Sequence, residues 1–265
     1  MKTITFILML LSCTSIMFAQ DHNYQSKITI NPAVGAIIPI KKLFKGDASD
    51  ALIGYKDLNF YWQALSGSLY FNRRFGIQFD AQIAFVDKVN INAPKFQEQV
   101  REQFGVDRFF VAGSGGEVWY ANMKSVARVM LGGVYRYETT RWFLNPRLSV
   151  GVSTFDIQNA SVVLKEKDSH EFYTVSYKRS NVATNSFTVL AGISTGYKLR
   201  PRLYLNVDLS GSYFRPNLTI NEDVRQASNG EMSSRTVDYK RSIVSINAAA
   251  GVIIVLQKFK EFRSE

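Results

Sequence analysis

Two carboxylates, Asp80 and Asp208, lie within alternating segments of the chain and could together work as a general acid and base. A second candidate is Ser169-His170-Glu171, which supplies the residue types of a nucleophile, a base and an orienting acid inside the charged run 165–171. Neighbouring residues on an extended chain point to opposite sides, so that triplet is poorly placed to cooperate. His22 is the other histidine and Cys13 the one cysteine, which leaves no close His pair and no thiol cluster for a metal. Gly113-Ser114-Gly115-Gly116 lacks the Lys-Ser/Thr of a phosphate-binding loop and reads as a hinge in the longest connection. No catalytic, cofactor-binding or metal-ligating residue is therefore assigned. The expectation is a protein that is not an enzyme and needs no cofactor.

Charge is the next clue. The chain of 265 residues carries 32 basic and 22 acidic side chains, a formal +10. Nucleic-acid binding would need a basic stripe with exposed aromatics on one surface. Here the basic residues divide between short connections (Arg73, Arg74, Arg141, Arg200, Arg202) and long ones (Lys41, Lys42, Lys45, Lys178, Arg179, Lys240, Arg241). That division excludes nucleic acid. It suits contact with anionic lipid and with lipopolysaccharide phosphates near two headgroup layers. With 46% hydrophobic residues the chain is also too apolar for a disordered protein, and one cysteine cannot make a disulfide scaffold.

The elements that position these groups begin after a leader. Lys2, an apolar run from Ile4 and a small residue at Ala19 read as a signal peptide over 1–19, leaving 20–265 as one domain. Ser12-Cys13-Thr14-Ser15 interrupts the run, which is too short for a membrane anchor. Leu10-Leu11-Ser12-Cys13 is a loose match to a lipoprotein box, and cleavage there is the alternative. Period two dominates beyond it. In 142–152, Trp142, Leu144, Pro146, Leu148, Val150 and Val152 oppose Asn145, Arg147, Ser149 and Gly151. Segments 75–85, 187–199 and 203–213 repeat the pattern. Segments 28–40, 60–71, 119–137 and 243–256 carry it more weakly, which makes eight strands.

Their connections alternate in length. Short turns follow 60–71, 119–137 and 187–199, whereas long loops occupy 41–59, 86–118, 156–185 and 215–241. That is the pattern of an all-β, eight-stranded antiparallel up-and-down transmembrane β-barrel with short periplasmic turns and long extracellular loops. Four structureless loops of that size are uncommon in a soluble domain. Within 86–118, Phe96, Val100 and Phe104 recur at helical spacing and predict a short amphipathic helix on the barrel rim. Aromatics flank the turns (Tyr70, Phe71, Phe75, Tyr135, Tyr137, Trp142, Phe143, Tyr197, Tyr204) and the long loops (Tyr61, Trp62, Phe85, Trp119, Tyr120, Phe155, Phe187, Tyr213, Phe214), as two interfacial belts would. Parity points Asp80, Asp208, Arg128, Arg136, Arg147, Asn206, Gln78, Gln82, Asn247 and Lys198 inward. Sliding the strand at Arg147 by one residue would turn that charge to lipid, at about 2–4 kcal/mol. Eight strands leave a lumen that side chains just fill, so these groups are expected to pair and plug it.

The leader, the strand Ile30-Asn31-Pro32-Ala33-Val34-Gly35, the hairpin Leu69-Tyr70-Phe71-Asn72-Arg73-Arg74-Phe75-Gly76-Ile77 and the final apolar strand together resemble small outer-membrane β-barrel proteins of the OmpA/OmpX type. They look most like the Bacteroidota outer-membrane β-barrel group that includes PorT-like proteins. The resemblance implies a barrel in the outer membrane with periplasmic termini, and a secretion-accessory role. Such barrels often stop at an aromatic residue, whereas this chain runs past Phe259 and Phe262 to Arg263-Ser264-Glu265. The leading expectation is a non-enzymatic barrel whose extracellular loops mediate binding or envelope and secretion-complex interactions. A lipid-modifying enzyme and a small-solute channel are the competing classes. Expected partners are outer-membrane lipid, lipopolysaccharide and an envelope or extracellular protein.

Overall fold

The computed structural model describes residues 27–40, 59–86, 94–115, 124–155, 159–180 and 184–258. The expected leader over 1–19, the first long loop apart from Asn59, and the terminal residues from Phe259 lie outside them. In chain order the strands are β1 (Lys27–Ile30), β2 (Ala33–Pro39), β3 (Asn59–Tyr70), β4 (Phe75–Val86), β5 (Phe109–Gly115), β6 (Lys124–Tyr135), β7 (Tyr137–Glu138) and β8 (Trp142–Phe155). There follow β9 (Ala160–Glu166), β10 (Phe172–Arg179), β11 (Thr184–Arg200), β12 (Leu203–Phe214), β13 (Asn217–Gln226), β14 (Met232–Lys240) and β15 (Ile243–Lys258). Among the described residues one helix, α1, spans Pro94–Phe104.

The alternating segments form a closed antiparallel cylinder of eight strands. β3, β4, β6, β8, β11, β12 and β15 pair in sequence, and the first strand, split into β1 and β2, pairs with both β15 and β3. Closure leaves the wall without an open edge, the requirement for backbone surrounded by hydrocarbon. The split falls at Asn31-Pro32. Pro32 has no amide hydrogen to give a neighbouring strand, and Asn31 instead donates its N–H to the Ser66 carbonyl at 2.7 Å.

The wall obeys the parity of the sequence. Along β8, Leu148 is 59% exposed on the outside, while Arg147 and Ser149 beside it are 6% and 1% exposed on the inside. Along β12 every even position from Tyr204 to Phe214 is buried and the odd positions from Leu205 to Tyr213 are exposed. In β3 the alternation slips. A bulge between Trp62 and Leu65 leaves both Ala64 and Leu65 exposed, which explains the weaker pattern of that segment.

The long loops depart from expectation. Three of them build a second, five-stranded antiparallel sheet in the order β14-β13-β10-β9-β5. Each member leads into or out of a wall strand, so this loop sheet stands over five consecutive strands of the cylinder (β15, β12, β11, β8, β6). Ala160, Val162, Leu164, Val175, Tyr177, Leu218 and Ile220 are buried in one apolar cluster that runs on to Ile37, Tyr61, Phe214 and Ile243 at the mouth. Phe96 and Val100 of α1 are buried in the same cluster, and the Phe96 ring meets Tyr177 edge-on. The helix was expected on the rim, but its apolar stripe covers the loop sheet because that is where unsatisfied apolar surface lies. Gly105, with φ of 113°, ends it in a conformation that side-chain-bearing residues avoid. The predicted hinge at Gly113-Ser114-Gly115 is part of β5, which bulges against β9 between Val111 and Gly113; Gly116 lies outside the described residues.

Candidate functional site

Inside the cylinder, parity delivers the predicted polar set. Asp80, Asp208, Arg128, Arg136, Arg147, Asn206, Gln78, Gln82 and Asn247 are all buried, and Lys198 is half-buried. At mid-height Arg147 of β8 reaches across β11, which presents Gly192 opposite it, to the Asp208 carboxylate of β12. Nη2 donates to Oδ1 at 2.8 Å, Nη1 donates to Oδ2, and Nη1 also donates to the Ser194 hydroxyl at 3.1 Å. This is a two-pronged pair of the kind that fixes geometry as well as charge. Asp80 is held separately: Ser66 Oγ donates to its Oδ1, as does Gln78 Nε2 at 2.8 Å. Further along the wall, Gln82 donates to Gln63 at 3.0 Å, and Asn206 donates to Asn31 Oδ1 at 3.2 Å. The two candidate acid–base carboxylates are thus engaged in different networks, each with its own donors.

The turn end of the lumen is closed by a cation in a ring of aromatics. Arg136 is 2% exposed, with its guanidinium 5.1 Å from the Tyr70 ring, 5.6 Å from Phe143 and 5.7 Å from Tyr204. Charge over the face of a ring is attracted by the ring's quadrupole. Glu138 of β7 balances it as an ion-pair partner, with its carboxylate 2.5 Å from Arg136 Nε, 2.7 Å from Lys198 Nζ and 3.7 Å from Lys27 Nζ. Gly196 makes room for this arrangement. A β-carbon there would lie 2.8 Å from the Phe143 ring and 1.8 Å from the Leu205 carbonyl oxygen. Tyr70, Phe143 and Tyr204 therefore do not belong to the interfacial belt in which their nearness to the turns had placed them. Tyr61 and Phe214 are likewise buried at the other end. In each case inward parity prevails over position along the strand. The remaining belt near the turns includes two edge-on ring pairs, Phe75–Tyr135 and Trp142–Tyr197, each with centroids 5.0 Å apart.

An apolar exterior, a closed wall and a charged, cross-bonded interior are what a bilayer demands of a spanning sheet. The chain is a transmembrane β-barrel of the outer-membrane type. No family model matches the sequence, and no curated protein matches it. Among solved structures it is similar to a major outer membrane protein from Thermus thermophilus, at 13% identity over 87% of this chain and 99% of that one, with a TM-score of 0.42. It is also similar to the outer membrane protease OmpT from Escherichia coli, at 10% identity over 89% and 98% with a TM-score of 0.23. A third is an outer membrane channel from Pseudomonas putida, at 8% over 88% and 96% with 0.25. The assignment of the barrel rests on its own wall and lumen.

The other predicted groups lie in the loop sheet. Ser169, His170 and Glu171 form the turn between β9 and β10, with His170 at φ 58°. Ser169 Oγ donates to Glu166 and accepts the Glu171 amide at 3.2 Å, and among the described residues no hydrogen bond joins His170 to either neighbour. The Ser169 hydroxyl and then Arg108 hold the Glu166 carboxyl below its ordinary value. Of the cations expected to meet lipopolysaccharide, Lys41, Lys42 and Lys45 lie outside the described residues. Lys240 pairs with Asp238 at 3.1 Å, and Arg241 stands 5.1 Å from the Tyr239 ring.

What the sequence reading missed is the loop sheet, and its signal was present. Leu218, Ile220, Glu222 and Val224 alternate in β13, Ala160, Val162 and Leu164 in β9, and Asn229-Gly230 is a strong hairpin-turn pair. Gly230 has φ of 72° there. Glu222, 2% exposed, accepts from Arg235 Nε at 2.6 Å and from Gln103 of α1 at 2.6 Å, tying sheet to helix.

Proposed function

We propose that the protein is a non-enzymatic outer-membrane barrel whose extracellular loop sheet is the surface that binds a partner, an envelope or extracellular protein. The observation that carries this reading is the loop sheet itself. Three loops spend their backbone on an ordered sheet with its own apolar core and a covering helix, a larger structural outlay than a tether between strands requires. β14 and β5 are edge strands of that sheet, and such edges offer backbone groups to an added strand. The resemblance to PorT-like proteins favours a partner in a secretion or envelope complex. A lumen crossed by Arg147–Asp208 and closed by Arg136 supports this reading over a channel. The separate bonding of Asp80 and Asp208 supports it over an enzyme.

The test replaces 217–240, the hairpin of β13 and β14, with a short Gly-Ser turn and compares co-purification from detergent-solubilised membranes. The expected result is a full-length barrel that retains a stoichiometric protein partner and a shortened one that folds yet loses it. Equal recovery with both chains, stepwise conductance in planar bilayers, or a changed lipid A mass spectrum on expression would each overturn the reading.

A further inference from the structure

We propose that the turn end of the barrel is a docking face for anionic phospholipid headgroups, with arginines on the short turns taking lipid phosphates. The three turns with their flanking residues, 71–74, 136–142 and 198–203, contain Arg73, Arg74, Arg136, Arg141, Lys198, Arg200 and Arg202 against a single acid, Glu138. That acid is already paired at the turn-end mouth of the lumen with Arg136, Lys198 and Lys27. No acidic side chain of these turns remains for Arg74, Arg141, Arg200 and Arg202, all of which are exposed. The loop end differs. There Arg108–Glu166, Arg235–Glu222 and Lys240–Asp238 pair within the sheet.

Position selects lipid over an acidic polymer. Arg141 adjoins Trp142 and Arg74 adjoins Phe75, both members of the edge-on ring pairs at the hydrocarbon boundary. Rings of that kind settle at headgroup depth. The guanidinium groups one residue beyond them are carried into the phosphate layer of the adjoining leaflet. The planar, always-charged guanidinium fits a phosphate through paired donors, where an ammonium would act as a point charge. The turns hold five exposed arginines and no exposed lysine. These arginines lie at the end of the barrel opposite the loop sheet, so lipid docking there is independent of any partner bound by that sheet.

The experiment uses the full barrel in nanodiscs and reads tryptophan quenching by phosphatidylglycerol or phosphatidylcholine brominated near the headgroup. Trp62→Phe with Trp119→Phe isolates Trp142 at the turn end, and Trp142→Phe with Trp119→Phe isolates Trp62 as the internal comparison. The expected result is preferential quenching of Trp142 by the anionic lipid, by about fivefold, the scale of one basic side chain at an anionic surface. Trp62 should show a smaller preference. Arg141→Gln with Arg200→Gln and Arg202→Gln should reduce the Trp142 preference toward unity, as should high salt. Retained resistance to detergent unfolding checks that this variant is folded. Equal quenching of Trp142 by the two lipids would overturn the proposal, and so would a preference that survives the three substitutions. Loss of the preference in millimolar inorganic phosphate, but not in chloride of equal ionic strength, would identify free phosphate as the ligand and overturn the lipid assignment. Loss of the preference only when an acidic periplasmic protein is added, with that protein bound, would do the same.

Discussion

The chain builds two cores of opposite chemistry, one above the other. Within the cylinder the buried set is Asp80, Arg128, Arg147, Asn206 and Asp208, with apolar side chains turned out to lipid. In the loop sheet the buried set is led by Val162, Leu164, Val175, Leu218 and Ile220, with the paired Glu222 as its buried charge and most other polar side chains turned out to water. Wall strands and loop strands share the same period, although charged residues are denser in the loop strands. What decides which face is buried is the medium outside. Where lipid surrounds the strand, exposing apolar groups costs nothing and polar groups must satisfy one another within. Where water surrounds it, the hydrophobic effect pulls the apolar face inward. One alternating pattern thus yields an inside-out core in the bilayer and an ordinary one beyond it.

The largest effect is expected at the polar core. Asp208→Ala leaves the Arg147 guanidinium buried without its carboxylate and should cost about 3–5 kcal/mol. The readout is unfolding of the barrel in detergent by denaturant. Arg147→Met with Asp208→Leu should recover most of the loss, since an apolar pair of similar size has no unmet charge. Failure of the double variant to recover would mean that the lumen tolerates only charge there.

In the apolar core the leading change is Leu164→Ala, which removes a fully buried side chain and should destabilise the loop sheet by about 2–5 kcal/mol. Protease cleavage within 159–180 should rise while the detergent resistance of the cylinder stays unchanged. Cleavage and barrel unfolding moving together would show one cooperative unit in place of two cores.

A smaller effect sharpens the boundary at the sheet's outer edge. Because the Glu166 carboxyl is held low by Ser169 and Arg108, its contribution to the β9–β10 turn is present at neutral pH. That contribution is full above the ordinary carboxylate value and is lost progressively as pH falls from there through the lowered value. A carbon-13 titration of Glu166 should therefore show a midpoint that moves upward in Ser169→Ala. An unmoved midpoint would remove the hydroxyl as the cause.

How much of this was legible depended on how strictly a segment alternates. Segment 142–152 announces both its faces, and the structure places every residue as parity requires. Segment 60–71 is blurred by the bulge after Trp62, which puts two successive side chains on the same side. The belt assignment of Tyr70, Phe143 and Tyr204 used distance from a turn where parity was the better guide. The pairing of Arg147 with Asp208 could not be read at all. It depends on the register of β8, β11 and β12, and on the bare inner surface at Gly192. The loop strands alternate as clearly as some wall strands, but β5, β9 and β10 are shorter than a bilayer crossing, and all five lie in segments that the short-long rhythm of connections marks as loops.

The continuity of β12 into β13 has a mechanical meaning. Only Arg215 and Pro216 separate the two strands, and β14 returns to β15 across Arg241 and Ser242. The hairpin is therefore the upper part of two staves of the cylinder, with no slack joint beneath it. A tug on its tip pulls those staves lengthwise, and the bonds along them resist together instead of parting one at a time.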